Sequence, residues 1–370
     1  MTALNRDDAP RLGDVLGDVA AGAAERDAAG VPVFPEAAVL ALERAGAFAS
    51  NACLGTTRPP AGEELGLVRR VAAADGSVGR IFDGHINAVE RLAVQAPAEL
   101  RDRELAAVRA GRLRAGVWGG DPIPGEGPPA EIRQTVAGEV LRGVKTFCSG
   151  AGGLHRALVL ARDGGGPPSA VWIDLTDEAR VEIDPGWYRS HGLRASVSHR
   201  VVFHDAPVLA RFGAPGALAA HPWFSRDALR TAASWAGMAD SAVGAALGTL
   251  AARPSRTELE ALAAGRMQTA HRTIDVWLEH AAAAMDAVSD ELPAVALHAR
   301  AAISDACRTL LDEAARACGS GPFARAEALD RARRDLEVFL LQHRLDPLLA
   351  RAGHEALELA RAGHEALADR

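Results

Sequence analysis

The sequence has little of what builds metal sites, membrane spans or nucleic-acid interfaces. Its four cysteines show no C-x-x-C spacing, which argues against a structural zinc site. It contains no uncharged apolar stretch of about 18 residues, so no transmembrane helix is expected. The first residues are polar and acidic, without an apolar signal segment. A net charge of −7 argues against general nucleic-acid binding. Together these absences predict a soluble, reduced, cytoplasmic protein.

The composition is rich enough in apolar residues to build several cores. With 370 residues, 48% of them hydrophobic, the chain can hold two or three domains. Apolar residues first recur every three or four positions, then nearly every second, then every three or four again. This order predicts an α+β, mainly α protein. We expect an N-terminal helical domain (1–111), a small β-barrel-like domain (112–215) and a C-terminal four-helix bundle (216–370).

Residue patterns within these regions predict individual elements. Strands are expected where β-branched and aromatic residues cluster, at 113–118, 131–147, 157–161, 170–175, 181–183 and 198–203. Long helices are expected between Pro- and Gly-rich breaks, at 225–252, 256–288, 294–317 and 324–368, the last interrupted at Pro347.

Three patterns that suggest metal or redox chemistry are interpreted as structural. His85 lies in the middle of a predicted helix, which favours a packed or surface histidine over a ligand. Cys307 and Cys318 are eleven residues apart and are expected to be core thiols, not a disulfide. The tail repeats RAGHEAL after ten residues, so its two copies are out of phase on a helix and should be solvated.

The stretch 140–161 contains the strongest functional pattern. It predicts two strands joined by a glycine-rich corner, Ser149–Gly153, and a simple hairpin at a sheet edge is the plain alternative. Such a corner leaves backbone N–H groups and the Ser149 hydroxyl available to a flat or anionic ligand. Lys145, within this stretch, is the only lysine in the chain.

These residues resemble a motif of the acyl-CoA dehydrogenase superfamily. Gly143, Lys145, Phe147, Cys148 and Ser149 match the pattern G-x-K-x-[WF]-[IC]-[ST] position by position. In that family the aromatic residue and the Ser/Thr lie against the flavin ring. The predicted domain order is also that of the family. The resemblance implies a flavoprotein oxidoreductase with FAD as its cofactor.

A second flavin contact in the family is a Thr-Glu-Pro loop after the first strand of the β-domain. Here Trp118 is followed by Gly120, Asp121 and Pro122, which keep the acid–proline pair and lack the hydroxyl. The missing hydroxyl removes one hydrogen bond to the flavin, worth about 1 kcal/mol. A proline-rich surface loop is the plain alternative.

The resemblance also assigns residues to the adenosine diphosphate half of FAD. Arg253 resembles the arginine that contacts the pyrophosphate, although Pro254 replaces the family's Phe-Gly. Gly319, Ser320 and Gly321 resemble the glycine-rich turn that packs on the cofactor of a neighbouring subunit. The resemblance therefore implies a homodimer or homotetramer.

The catalytic base is where the sequence departs most from the family. Dehydrogenation needs a carboxylate to remove a proton while the flavin accepts hydride. The family's two positions for a glutamate are occupied here by Asp227 and His343. Both also have plain interpretations: Asp227 as an acid favoured near a helix N-terminus, and His343 as an ordinary histidine at the end of the bundle.

Three functions therefore remain open. The first is α,β-dehydrogenation of a small acyl thioester, with Asp227 as base and an electron-transfer partner. The second is a two-component flavin-dependent monooxygenase of the same fold, supplied by a flavin reductase. His343 favours it, because an imidazole suits oxygen chemistry better than carbon-acid deprotonation. The third is a structural paralogue that performs no chemistry.

Overall fold

Among the described residues, helices precede and follow one seven-stranded sheet in sequence. A computed structural model describes residues 10–52, 58–342 and 345–368. The helices are α1 (Leu12–Ala21), α2 (Ala23–Ala28), α3 (Glu36–Arg44), α4 (Ala61–Ala74), α5 (Gly76–Gln95), α6 (Ala98–Arg109), α7 (Trp223–Ala251), α8 (Glu258–Asp286), α9 (Leu292–Cys318), α10 (Gly321–Ala324), α11 (Ala328–Leu340) and α12 (Asp346–Ala368). The strands are β1 (Ala115–Trp118), β2 (Glu131–Thr135), β3 (Gly138–Cys148), β4 (Arg156–Ala161), β5 (Ser169–Asp174), β6 (Val181–Asp184) and β7 (His199–Arg211).

The long strand β7 joins the two halves of the sheet. The strand order is β1-β4-β5-β7-β3-β2, and β6 also pairs with β7. The β1–β4 pair is parallel and the other pairs of strands are antiparallel. Strands β3 and β4 flank the glycine-rich corner as predicted, but β5 and β7 separate them in the sheet. The hairpin alternative is therefore wrong, since the corner carries the chain from one half of the sheet to the other.

The predicted strand 131–147 is two strands. A turn at Val136 and Ala137 separates β2 from β3, and Thr135 pairs with Gly138 across it. Gly138 has a φ of +118°, a conformation that glycine adopts without a steric cost. In the sequence, the pair Ala137-Gly138 indicated this turn. Because apolar residues lie on both sides of the pair, the whole stretch was predicted as one strand.

His85 connects the N-terminal helices to the sheet. Its ring is fully buried, with Nε2 2.8 Å from the Phe48 carbonyl and Nδ1 accepting from the Ala115 amide at 3.1 Å. Burial lowers the pKa of His85 to about 4, so the ring is neutral and carries its proton on Nε2. The prediction of a packed histidine is confirmed.

The central helix α7 packs against α4, α8, α9 and α11. The four predicted long helical segments are present, and the last is broken before Asp346, so that Pro347 lies in the first turn of α12. Cys307 and Cys318 are free and buried, as expected. The described part of the RAGHEAL repeat is exposed on α12, also as expected. The division into three domains at residues 111 and 215 stays a prediction.

A buried charge cluster, formed by Glu64 on α4, Glu90 on α5, and Arg226 and Arg230 on α7, joins three helices. Arg230 donates to Glu64 at 2.6 Å and to Glu90 at 2.8 Å. Arg226 donates to the same two carboxylates at 2.9 Å and 2.8 Å. Because each carboxylate is shared by both guanidiniums, the buried charges are compensated within the cluster.

None of the helices in the described ranges has the length and apolar character that a membrane span requires.

Candidate functional site

Phe147 projects from a bulge in the sheet. The β3–β7 register shifts between Lys145 and Cys148, and Phe147 between them has a φ of +54°. Phe147 is 58% exposed, and its ring meets the Trp187 ring edge to face at a centroid distance of 5.0 Å. A positive φ is costly for an aromatic residue and is usually retained at functional positions. The bulge thus presents an apolar ring at the surface of the sheet.

The predicted loop after β1 is fastened to β3 beside this ring. The Lys145 ammonium donates to the Asp121 carboxylate at 2.7 Å and to the Gly119 carbonyl at 3.2 Å. The Thr146 amide and hydroxyl donate to the Gly120 and Asp121 carbonyls at 3.0 Å and 2.9 Å. A Cβ at Gly120 would lie 2.6 Å from the Thr146 carbonyl oxygen, so this close approach requires glycine. The two sequence motifs, predicted from separate stretches, are therefore in contact.

The Ser149 hydroxyl takes part in a chain of hydroxyl groups. Its Oγ lies 2.8 Å from Ser198 Oγ, which lies 2.8 Å from Ser196 Oγ. The Trp118 indole donates to the Ser149 carbonyl at 3.1 Å and fixes the corner. Cys148 packs into the core of the sheet, where burial raises the pKa of its thiol. Of the two neighbouring residues Phe147 and Cys148, only Phe147 has a side chain that is exposed at the surface of the sheet.

The residues around Phe147 fit a planar, polar-edged ring such as a flavin. The exposed ring of Phe147 offers an apolar face. Within the part of the chain that the structure describes, the backbone N–H groups of Gly120 and Asp121 donate to no protein acceptor. A flavin has an apolar ring face and carbonyl groups along one edge, so both features have a counterpart on it.

Arg253 and the glycine-rich turn lie together at one end of the bundle. Arg253 donates to the Cys318 carbonyl at 2.9 Å, directly before Gly319, whose φ is +72°. Ser320 is exposed and Gly321 begins the short helix α10. Arg253 also forms an ion pair with Glu260, which caps α8 through the Thr257–Glu260 capping box. The arginine predicted to hold pyrophosphate is thus already engaged within the chain.

Asp227 lies on α7 between two guanidinium groups. It forms ion pairs with Arg91 and, at 3.3 Å, with Arg230. Burial raises the pKa of its carboxyl to about 7, against the opposing effect of these arginines. Of its two partners, Arg230 belongs to the buried charge cluster. His343, the other candidate base, lies outside the described residues.

The sequence patterns did not predict that the segment between β6 and β7 contributes to the site. It contains Trp187, which contacts Phe147, and Tyr188, the only tyrosine of the chain, which donates to the Gly192 carbonyl at 3.2 Å. The segment is fastened to α11, because Asp335 accepts a 2.6 Å hydrogen bond from the Leu193 amide. Two aromatic residues in a row within a polar loop were the available signal.

Asp335 should make the stability of the protein depend on pH. Burial raises the pKa of its carboxyl to about 7 from the ordinary 3.8. Its stabilising contribution is therefore fully present below pH 3.8 and is lost as the pH rises to about 7. Asp335→Asn keeps the acceptor for Leu193. Relative to wild type, this variant should gain up to about 1.4 kcal/mol of unfolding free energy per pH unit across that window.

Urea unfolding at several pH values between 4 and 8 measures this difference. Asp305→Asn, which removes an exposed acid from α9, is the control for the loss of one charge. A difference between Asp335→Asn and wild type that stays constant with pH would contradict the buried, protonated carboxyl.

Comparison with known proteins gives matches at the level of structure. No family model and no curated protein matches the sequence. FMN-bound TdsC of Paenibacillus sp. A11-2 superimposes with a TM-score of 0.82 at 20% identity, covering 93% of this chain and 96% of that one. A nitrososynthase of Micromonospora carbonacea var. africana gives 0.79 at 20% identity, covering 92% and 94%.

The chain has the acyl-CoA dehydrogenase fold. Methanesulfinate monooxygenase MsuC of Pseudomonas fluorescens also superimposes, with a TM-score of 0.77 at 21% identity over 94% of this chain and 95% of that one. The predicted fold class is confirmed, including the small sheet between helical regions. Within this fold, the exposed Phe147 and the loop at Gly120 lie on the same part of the sheet.

Proposed function

We propose that the protein is a flavin-dependent monooxygenase acting on a small organic molecule. The observation that carries the proposal is the exposed Phe147 beside the loop at Gly120 and Asp121, whose backbone N–H groups find no acceptor among the described residues. The fold adds support, since FMN-bound TdsC, a dibenzothiophene monooxygenase, matches over more than nine-tenths of both chains. FMN is favoured over FAD, because Arg253 is already paired with Glu260.

In this proposal the bound flavin supplies the redox chemistry, and the chain binds it and shapes its surroundings. Phe147 would support one face of the ring, and the amides of Gly120 and Asp121 would donate to its polar edge. Lys145 has a positioning role, since its buried ammonium holds the Asp121 carboxylate at 2.7 Å and keeps the loop in place. The hydroxyl chain that begins at Ser149 would orient a proton donor next to the ring.

A second candidate is the dehydrogenation of an acyl thioester with Asp227 as base. The pKa of about 7 for its buried carboxyl supports this reading, because a general base works best near the operating pH. Against it, Arg91 and Arg230 occupy the carboxylate oxygens.

Spectroscopy with two probe substrates separates the candidates. The protein is loaded with FMN or FAD and first mixed anaerobically with octanoyl-coenzyme A. A monooxygenase should show no bleaching of the flavin under these conditions. It should convert indole to an oxygenated product when chemically reduced FMN and oxygen are supplied. Anaerobic bleaching that Asp227→Asn abolishes would instead establish the dehydrogenase.

Phe147→Ala should weaken flavin binding without destabilising the fold. Loss of one aromatic contact with the ring should lower the affinity for FMN about 3- to 10-fold. Because Phe147 is largely exposed, the free energy of unfolding should change by less than about 0.5 kcal/mol. The affinity is measured by fluorescence titration of FMN. Phe224→Ala, which removes another exposed phenylalanine on α7, should bind FMN normally. Equal affinities for the two variants would refute the role of Phe147.

A further inference from the structure

Trp187 contacts the exposed ring that is proposed to support the flavin. Its ring lies at 82° to that of Phe147, with 5.0 Å between the two centroids. Phe147 needs such support, because its positive φ persists only where the surrounding structure enforces it. Its own packing is weak, since more than half of the residue is exposed. The indole of Trp187 is therefore in a position to fix the orientation of the Phe147 ring.

Glu126 restricts the position of the indole. Trp187 Nε1 donates to Glu126 Oε1 at 2.7 Å, and both residues are half-buried. An indole has a single N–H donor, so this bond limits how the ring can move. A bond to a carboxylate is also stronger than a bond between neutral groups. Glu126 belongs to the loop that carries Gly120 and Asp121. The bond therefore connects the segment between β6 and β7 to the proposed flavin-binding loop.

Glu126 is itself anchored to the sheet. Arg200 on β7 donates from Nε and Nη2 to the Glu126 carbonyl at 3.2 Å and 2.8 Å. The next residue, Gly127, has a φ of +117°, and a Cβ there would lie 2.8 Å from a side chain of β3. The loop therefore contacts both β7 and β3 at this point. A continuous series of contacts leads from the sheet through Arg200, Glu126 and Trp187 to Phe147.

We propose that Trp187 and Glu126 are positioning residues of the flavin site, in which Glu126 orients the indole and the indole holds the Phe147 ring in place. This inference rests on the proposed function and extends the site to the segment between β6 and β7. Since neither residue needs to touch the flavin, the effect of each on flavin binding should pass through Phe147. An ordinary packing role for Trp187 would affect the stability of the protein and leave its affinity for FMN unchanged.

Fluorescence titration of FMN tests the role of Trp187. Trp187→Ala should weaken FMN binding about 2- to 5-fold and no more than Phe147→Ala does, because only the support of that ring is lost. Trp277→Ala is the matched control, since Trp277 is also half-buried and meets the His280 ring edge to face on α8. This control should bind FMN as wild type does. Equal affinities for Trp187→Ala and Trp277→Ala would overturn the proposal.

Two variants of Glu126 separate the orientation of the indole from the loss of a charge. Glu126→Gln keeps an oxygen that accepts from the indole, whereas Glu126→Ala removes the acceptor. The affinity for FMN should therefore fall about 2- to 5-fold in Glu126→Ala and stay within about 2-fold of wild type in Glu126→Gln. If both variants weaken binding equally, the carboxylate does not act through its hydrogen bond to Trp187, and its positioning role is wrong.

The double variant that combines Phe147→Ala with Trp187→Ala tests whether Trp187 acts through Phe147. Once Phe147 is absent, the indole has no ring to hold, so the double variant should bind FMN as weakly as Phe147→Ala alone. Independent effects would instead multiply the two losses of affinity. A product of the two losses would place Trp187 in direct contact with the flavin and overturn its positioning role.

Fluorine NMR of protein labelled with fluorotryptophan follows the indole without any flavin. The signal that is missing in Trp187→Phe belongs to Trp187. This signal should shift in Phe147→Ala, which removes the adjacent ring, and in Glu126→Ala, which removes the acceptor. It should keep its position in Glu126→Gln. A Trp187 signal that is the same in wild type and Glu126→Ala would contradict the orientation of the indole by Glu126.

The positioning roles and the proposed function fail in different ways. A wild type that binds neither FMN nor FAD would refute the flavin site, and the positioning roles with it. A wild type that binds FMN, together with a Trp187→Ala variant of the same affinity, would refute only the role of Trp187.

Discussion

Replacing Arg230 with methionine is expected to lower the free energy of unfolding by about 3–5 kcal/mol. Arg230 is fully buried and donates to Glu64, Glu90 and Asn87 at 2.6–3.0 Å. Methionine fills similar space but leaves two buried carboxylates with Arg226 as their remaining close partner on α7. The large cost comes from the hydrogen bonds that the two buried carboxylates lose, since only Arg226 and the partly exposed Arg58 then remain as their ion-pair partners among the described residues.

Urea unfolding followed by circular dichroism measures this loss. Arg272→Met is the matched control, because Arg272 forms ion pairs with Asp275 and Glu279 on the exposed side of α8. Exposed pairs contribute about 0–1 kcal/mol, so this variant should unfold close to wild type. If Arg230→Met and Arg272→Met lower the free energy of unfolding by the same amount, the cluster is not the continuous buried network described above.

Gly237→Ala is expected to destabilise the protein by about 1–3 kcal/mol or more. Helices α4 and α7 are in close contact at Gly237, where an added Cβ would overlap the Arg69 carbonyl oxygen and lie 2.8 Å from the Ala73 amide nitrogen. Both are backbone atoms, so no side chain can rotate away and the helices must separate. Separation would also disturb the buried charge cluster, which is shared by the same two helices.

Gly244→Ala on the same helix should have the opposite effect. A Cβ at Gly244 would meet nothing within 4 Å, and alanine is about 1 kcal/mol better than glycine inside a helix. The two variants differ from wild type by the same methyl group, so thermal unfolding of both isolates the helix contact. A Gly237→Ala variant that is as stable as Gly244→Ala would contradict the close approach of α4 and α7.

Local sequence patterns predicted the fold class and the position of the candidate site. The helix–sheet–helix order followed from periodicity and composition, and the strand with Phe147 and the loop with Asp121 were identified as one site from their resemblance to known motifs. The structure explains why the single lysine belongs to that strand, since Lys145 connects the two motifs. Such local signals are visible because each depends on a few neighbouring residues.

Long-range partners could not be predicted in this way. The pairing of β3 with β7 instead of β4 depends on residues about 60 positions away along the chain. Helix α5 contains buried charged residues at Arg80, Asp83 and Glu90, which a reading of periodicity assigns to a solvated face. Arg80 and Asp83 pair with each other on α5, whereas Glu90 pairs with Arg226 and Arg230 on α7. The burial of Glu90 therefore becomes favourable only once the tertiary structure has formed.

Lys145 also gives the protein an intrinsic reporter of loop opening. Its side chain is 1% exposed, and it is the only lysine in the chain. An amine-reactive reagent should therefore modify this side chain only when the segment from Gly119 to Asp121 detaches from β3. The extent of acylation at Lys145, read by mass spectrometry, would follow that motion in unmodified protein. If the loop holds a flavin, added FMN should slow this acylation.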